Sequence, residues 1–150
     1  MKLIPLVLAA VLAMYSSLAS AAEGLVAVKS SRSVAETMDR LEATVKQRGL
    51  TVFARIDHAA GASKIGQTLR PTTLLIFGNA QGGTPFMQCE QTAGIDLPLK
   101  VLVWEDAAAQ VWLGYNDPAY LSRRHGVAQC PVVEKLQKVL TGLVETTLAP

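Results

Sequence analysis

The sequence predicts an α+β fold: a two-layer sandwich with helices packed on one face of a mostly antiparallel sheet. Three observations predict it. Apolar residues recur at strand spacing in some segments and at helix spacing in others, in the order β-α-β-β-α-β-β-α. The strand segments 97–105 and 110–116 are joined by a short hairpin turn, which suits antiparallel pairing. The chain has 150 residues, 50% of them hydrophobic, which suffices for one core and one domain.

Residues 25–30 read as a short apolar strand. A helix follows, opened by the Ser-x-x-Glu capping box of Ser33 and Glu36. Val34, Met38, Leu41 and Val45 repeat on one face, and Gly49 supplies a left-handed cap. Residues 50–57 alternate, with Leu50, Val52, Ala54 and Ile56 on one side. Thr51, Phe53, Arg55 and Asp57 fall on the other, as expected of a half-buried strand. Residues 58–70 are rich in Ala, Gly and Ser and read as a loop with at most one helical turn.

Residues 72–78 are apolar on both faces and read as an interior strand. Residues 79–83 read as a turn, and 84–92 as a short helix carrying Phe86, Met87 and Cys89. Residues 97–105 and 110–116 read as a strand pair joined by a hairpin. Asp117-Pro118 caps a short helix or turn reaching His125. Residues 131–147 form the clearest helix, with Val132, Leu136, Val139, Leu140 and Leu143 inward and Glu134, Lys135, Gln137 and Lys138 outward.

Residues 1–21 carry the three parts of a secretory signal. Lys2 is the positive start, residues 3–15 are apolar, and Ala19-Ser20-Ala21 presents small residues at a cleavage position. Cleavage after Ala22 would serve equally. The apolar run is shorter than the roughly 20 residues of a membrane span. The expectation is an exported chain, periplasmic or secreted, whose domain is residues 22–150. Basic residues number 14 and acidic ones 12. That balance excludes a strongly basic nucleic-acid binder and a charged disordered tail.

Export also frames the two cysteines, Cys89 and Cys130. In an oxidising compartment they can close a disulfide. In the chain-entropy account a loop of about 40 residues would then stabilise the fold by roughly 3–4 kcal/mol. Two buried free thiols fit the sequence equally. So does a reactive Cys130, because Pro131 opens a helix and a thiol at a helix N-terminus is acidified. No Cys-x-x-Cys is present.

Several stretches together resemble the domain of unknown function 302 family (DUF302). They are Ile-Asp-His-Ala-Ala-Gly-Ala at 56–62, Leu-Arg-Pro-Thr-Thr-Leu-Leu-Ile-Phe-Gly-Asn at 69–79 and Gly-Thr-Pro-Phe-Met-Gln at 83–88. Ile-Asp-Leu-Pro-Leu-Lys-Val-Leu-Val-Trp-Glu-Asp at 95–106 and Gly-Tyr-Asn-Asp-Pro-Ala-Tyr-Leu-Ser-Arg-Arg-His-Gly at 114–126 complete the set. The resemblance runs from about Gly24 to Leu148. It implies a compact α+β domain and a homodimer, and it implies no reaction and no catalytic residues.

Five polar or aromatic residues stand at strand ends and form the candidate ligand site: Asp57, His58, Tyr115, Tyr120 and His125. A histidine beside a carboxylate, as in Asp57-His58, is a usable general base. The same pair can equally pin the following loop by side-chain to backbone bonds. His125 follows Arg123 and Arg124 and precedes Gly126, which also describes an ordinary helix C-terminus. Tyr115 and Tyr120 offer flat apolar faces with hydroxyls, suited to a pocket or to packing. Glu105-Asp106 reads as hairpin decoration, and Trp104 and Trp112 as a cross-strand pair.

Two histidines and one aspartate fall short of a zinc ligand set, so neither a metal nor a cofactor is expected. Arg70 alone is weak as an anion site. Asn79-Ala80-Gln81-Gly82-Gly83 lacks both phosphate-loop and dinucleotide spacing, and no Gly-x-Ser-x-Gly elbow occurs. The leading expectation is a non-enzymatic domain binding a small ligand or a protein partner. The competing ones are a small hydrolase or isomerase using His58 with Asp57, a thiol-based redox or stress protein using Cys130, and a structural homodimer module.

Overall fold

A computed structural model of the chain describes residues 22–150. The expected leader over residues 1–21 lies outside the described residues. Five strands form one sheet: β1 (Leu25–Ser30), β2 (Thr51–Asp57), β3 (Thr72–Gly78), β4 (Leu99–Glu105) and β5 (Val111–Asn116). Their order across the sheet is β1-β5-β4-β3-β2, and every neighbouring pair is antiparallel. The helices are α1 (Val34–Gln47), α2 (His58–Lys64), α3 (Ala80–Cys89), α4 (Pro118–Arg124) and α5 (Val132–Leu148). A 3-10 turn spans Gln91–Asp96. The α+β class with an antiparallel sheet is as the sequence predicts.

Register explains which side chains meet. Leu75, Val101 and Tyr115 are opposed across three strands and point to the helical layer. Met38 and Leu41 of α1 and Leu140 and Leu143 of α5 close over that face, all at most 1% exposed. Each such fully buried side chain contributes about 1.5–3 kcal/mol. Ser33 caps α1 by accepting from the Glu36 N–H at 3.2 Å. The other half of the expected box is not made, because the Glu36 carboxylate pairs with Arg32 Nε at 3.3 Å instead. Gly49, at φ +72°, ends the helix segment as expected.

The opposite sheet face carries Trp104 and Trp112, stacked with centroids 6.4 Å apart and planes 18° apart. Gly114 makes room for this stack. A Cβ there would come within 2.9 Å of the Trp104 ring and 3.0 Å of the Val26 carbonyl.

Several features differ from the sequence reading. Residues 58–64 form the two-turn helix α2, because the Asp57 carboxylate caps it through the Ala60 N–H at 2.9 Å and the alanines extend it. Helix α3 starts at Ala80, not at 84, because Asn79 caps the Gly82 N–H at 3.0 Å. Two glycines and Pro85 had weakened the helical pattern there. Strand β4 begins at Leu99, since Pro98 has no N–H to give to the ladder. In β2 the pairing shifts between Val52 and Ala54. Phe53 is the extra residue, so Val52 faces the helices while Ala54 and Ile56 face the other way. A bulge on an edge strand breaks strict alternation in this manner.

Candidate functional site

The five residues chosen from sequence do not assemble into one site. Asp57 pairs with Thr73 at one end of the sheet, on the edge strand β2. Tyr115 and α4 lie at the other end, beside the opposite edge strand β1. His58 is exposed at the start of α2, away from the cavity described below. Asp57 is occupied as the cap of that helix. Tyr115 is 8% exposed and belongs to the core. The Tyr120 ring covers Gly24, where a Cβ would fall 2.2 Å from the ring. Both tyrosines therefore serve packing.

His125 is the C-cap of α4, with Gly126 at φ +72° behind it. Its Nε2 lies 2.7 Å from Asp96 Oδ2. A carboxylate only accepts, so Nε2 carries the proton of this bond. Arg124 donates to the other Asp96 oxygen at 3.1 Å. Lys100 holds the same segment from another side, donating to the carbonyls of Asp96 at 3.0 Å and Pro98 at 2.9 Å. Burial pushes the Lys100 ammonium below its ordinary pKa, and Asp96 opposes the shift.

Three side chains thus fix residues 96–98, and these lead into the wall of a cavity. The cavity has a volume of about 390 Å³. Leu97, Pro98 and Leu99 form one side, Leu50 and the bulged Phe53 of the β2 region a second, and Leu136 and Val139 of α5 a third. Helix α3 closes it through residues 80–84 and Met87. The glycines of α3 have a defined use. A Cβ at Gly82 would meet Leu136 at 3.2 Å, so this glycine lets α3 approach α5. A Cβ at Gly83 would make ordinary van der Waals contact with Leu97 at 3.7 Å, so a larger side chain there reaches the cavity wall. Phe53 and Met87 are 57% and 37% exposed, leaving apolar surface at the mouth.

Cys89 and Cys130 are paired at disulfide distance, with Cα atoms 6.0 Å apart and no free cysteine among the described residues. The link joins the last residue of α3 to the segment just before α5, and so ties together two walls of the cavity. A free, reactive Cys130 is not what the structure contains. The Glu105-Asp106 pair sits at the hairpin as expected. Asp106 accepts from Trp112 Nε1 at 2.8 Å and from the N–H groups of Gln110 and Ala108, both at 2.9 Å. The Trp112 bond, then the Gln110 bond, hold its carboxyl below the ordinary range. No group of three or more His, Cys, Asp or Glu residues suited to a metal occurs among the described residues.

Sequence reasoning missed the cavity. Its walls are mostly apolar residues and glycines from four separated segments, and such residues read as ordinary core. The one available signal was the Gly82-Gly83 pair, which has no phosphate-loop spacing and needed another explanation.

The family model described as "Domain of unknown function DUF302" matches residues 26–143. The chain belongs to the DUF302 family. A crystal structure of an uncharacterized conserved DUF302 protein from Bacillus stearothermophilus is similar, with a TM-score of 0.75 and 22% identity. That match covers 84% of this chain and 99% of the other, and it shows the shared DUF302 fold. The chain is also 53% identical over 104 residues to proteins named "Fluoride-specific ion channel FluC 1" from Brucella suis biovar 1 and Brucella abortus biovar 1. The matched part is 69% of this chain but only 41% and 38% of those proteins. This DUF302 chain therefore spans about two fifths of the relatives that carry the channel name. Among its described residues no helix is long and apolar enough to cross a membrane.

Proposed function

We propose that this DUF302 domain is a non-enzymatic binding module that takes up a small apolar molecule in the cavity between α3, α5 and the Leu97–Leu99 wall. The observation that carries the reading is the cavity itself. Its volume of about 390 Å³ lies within the range of small-molecule sites, roughly 300–1,000 Å³. Its walls are mostly apolar, and the apolar side chains of Phe53 and Met87 remain exposed at its mouth. The ligand site of this proposal is thus distinct from the strand-end residues chosen from sequence.

Catalysis through His58 has less support, since that imidazole sits exposed on a helix start and is not part of this cavity. We further propose that the domain works outside the cytoplasm. The leader pattern in residues 1–21 supports this, and so does the paired state of Cys89 and Cys130.

Titration with the neutral dye N-phenyl-1-naphthylamine tests the binding reading. One dye should bind per chain with enhanced fluorescence. Gly83→Leu should abolish that binding while leaving the circular dichroism unchanged, because leucine suits a helix better than glycine and its side chain enters the cavity. A dye signal that survives Gly83→Leu would place the binding elsewhere and refute the proposal.

A further inference from the structure

The cavity wall carries a single charged side chain among the described residues, Lys135 of α5. The acidic residue beside it in sequence, Glu134, is engaged by Lys138 at 2.7 Å. Lys135 itself makes no ion pair and no side-chain hydrogen bond among the described residues. The other polar wall residues are neutral: Asn79, Gln81 and Thr84. Asn79 is already used as the cap of α3. An aliphatic hollow with one uncommitted ammonium on its wall has the charge pattern of an amphiphile receptor.

We infer that the ligand is a medium-chain aliphatic carboxylate, with its chain among Leu97, Leu136 and Val139 and its carboxylate at Lys135. The inference rests on the binding reading above and names its ligand class. Burial of the chain supplies the affinity, because each methylene removed from water is favourable by about the same increment. Lys135 supplies selection. Its exposed position limits the pair to a modest effect that salt screens. A cationic head group is disfavoured at the same place, and a neutral one gains nothing from it.

Displacement of the naphthylamine dye by decanoate, 1-decanol and decyltrimethylammonium separates these statements. At low salt, decanoate should bind about two- to fivefold more tightly than decanol. The alkylammonium should bind most weakly. Lys135→Gln should bring decanoate and decanol level, and Lys135→Arg should keep decanoate ahead. High salt should level the wild-type protein in the same way. Equal displacement by decanoate and decanol in the wild type, or a preference that persists in Lys135→Gln, would overturn the carboxylate assignment while leaving apolar binding standing. No displacement by any of the three would overturn both.

Discussion

His125 and Asp96, 29 residues apart, are joined through Nε2 and Oδ2 at 2.7 Å, with side chains only 9% and 13% exposed. The bond fastens the end of α4 to the segment that becomes the cavity wall at Leu97. A half-buried contact between a ring N–H and a carboxylate is worth more than a surface pair, and losing one partner strands the other. His125→Ala should therefore cost about 1–3 kcal/mol in denaturant unfolding. It should also weaken dye binding, since the wall loses one of its anchors. His125→Gln keeps an N–H donor and should recover part of both losses. Unchanged stability in His125→Ala would remove the bond from the account of the wall.

The Cys89–Cys130 link closes a loop with a sequence separation of 41 and clamps α3 to the start of α5. In the chain-entropy account, reduction should lower stability by about 3–4 kcal/mol. The double variant Cys89→Ser with Cys130→Ser should show the same loss without any reductant. Thiol titration of native protein should detect no free thiol until it is unfolded and reduced. One rapidly alkylated cysteine per native chain would contradict the paired state.

Asp106 gives the hairpin a pH dependence with a definite sign. Its carboxyl is held below the ordinary range in the folded protein, chiefly by the Trp112 indole N–H. A carboxyl depressed by folding contributes stability above its unfolded pKa. That contribution fades as pH falls through the lower, folded-state value. The Trp104–Trp112 signal in near-ultraviolet circular dichroism should therefore persist through the ordinary carboxylate range and change only below it. Asp106→Asn should remove this acid step. A change centred at or above the ordinary aspartate value would contradict the assignment.

Most of the architecture was legible because it rests on local patterns. The capped α1, the inward stripe of α5 and the apolar runs of β3 and β4 each reveal themselves within one segment. The Phe53 bulge was not legible, since it depends on how β2 meets β3. The start of α3 was hidden by glycines whose purpose is close packing against α5. The candidate site failed to form for a related reason. Strand ends look equivalent in sequence, but this sheet order puts Asp57 and His58 at the corner away from Tyr120 and His125. The cavity was invisible because no single segment contains it. Leu50, Gly83, Leu97, Leu136 and Val139 meet only after the chain has folded.

Methyl NMR of the full domain during titration with decanoate tests the central claim most directly. The methyl groups of Leu97, Leu136 and Val139 should shift together and saturate at one ligand per chain. Those of Ile65 and Ile95, each 75% exposed and outside the cavity wall, should stay still. Shifts confined to exposed methyls, with the cavity methyls unmoved at saturation, would show that this hollow is not a binding site.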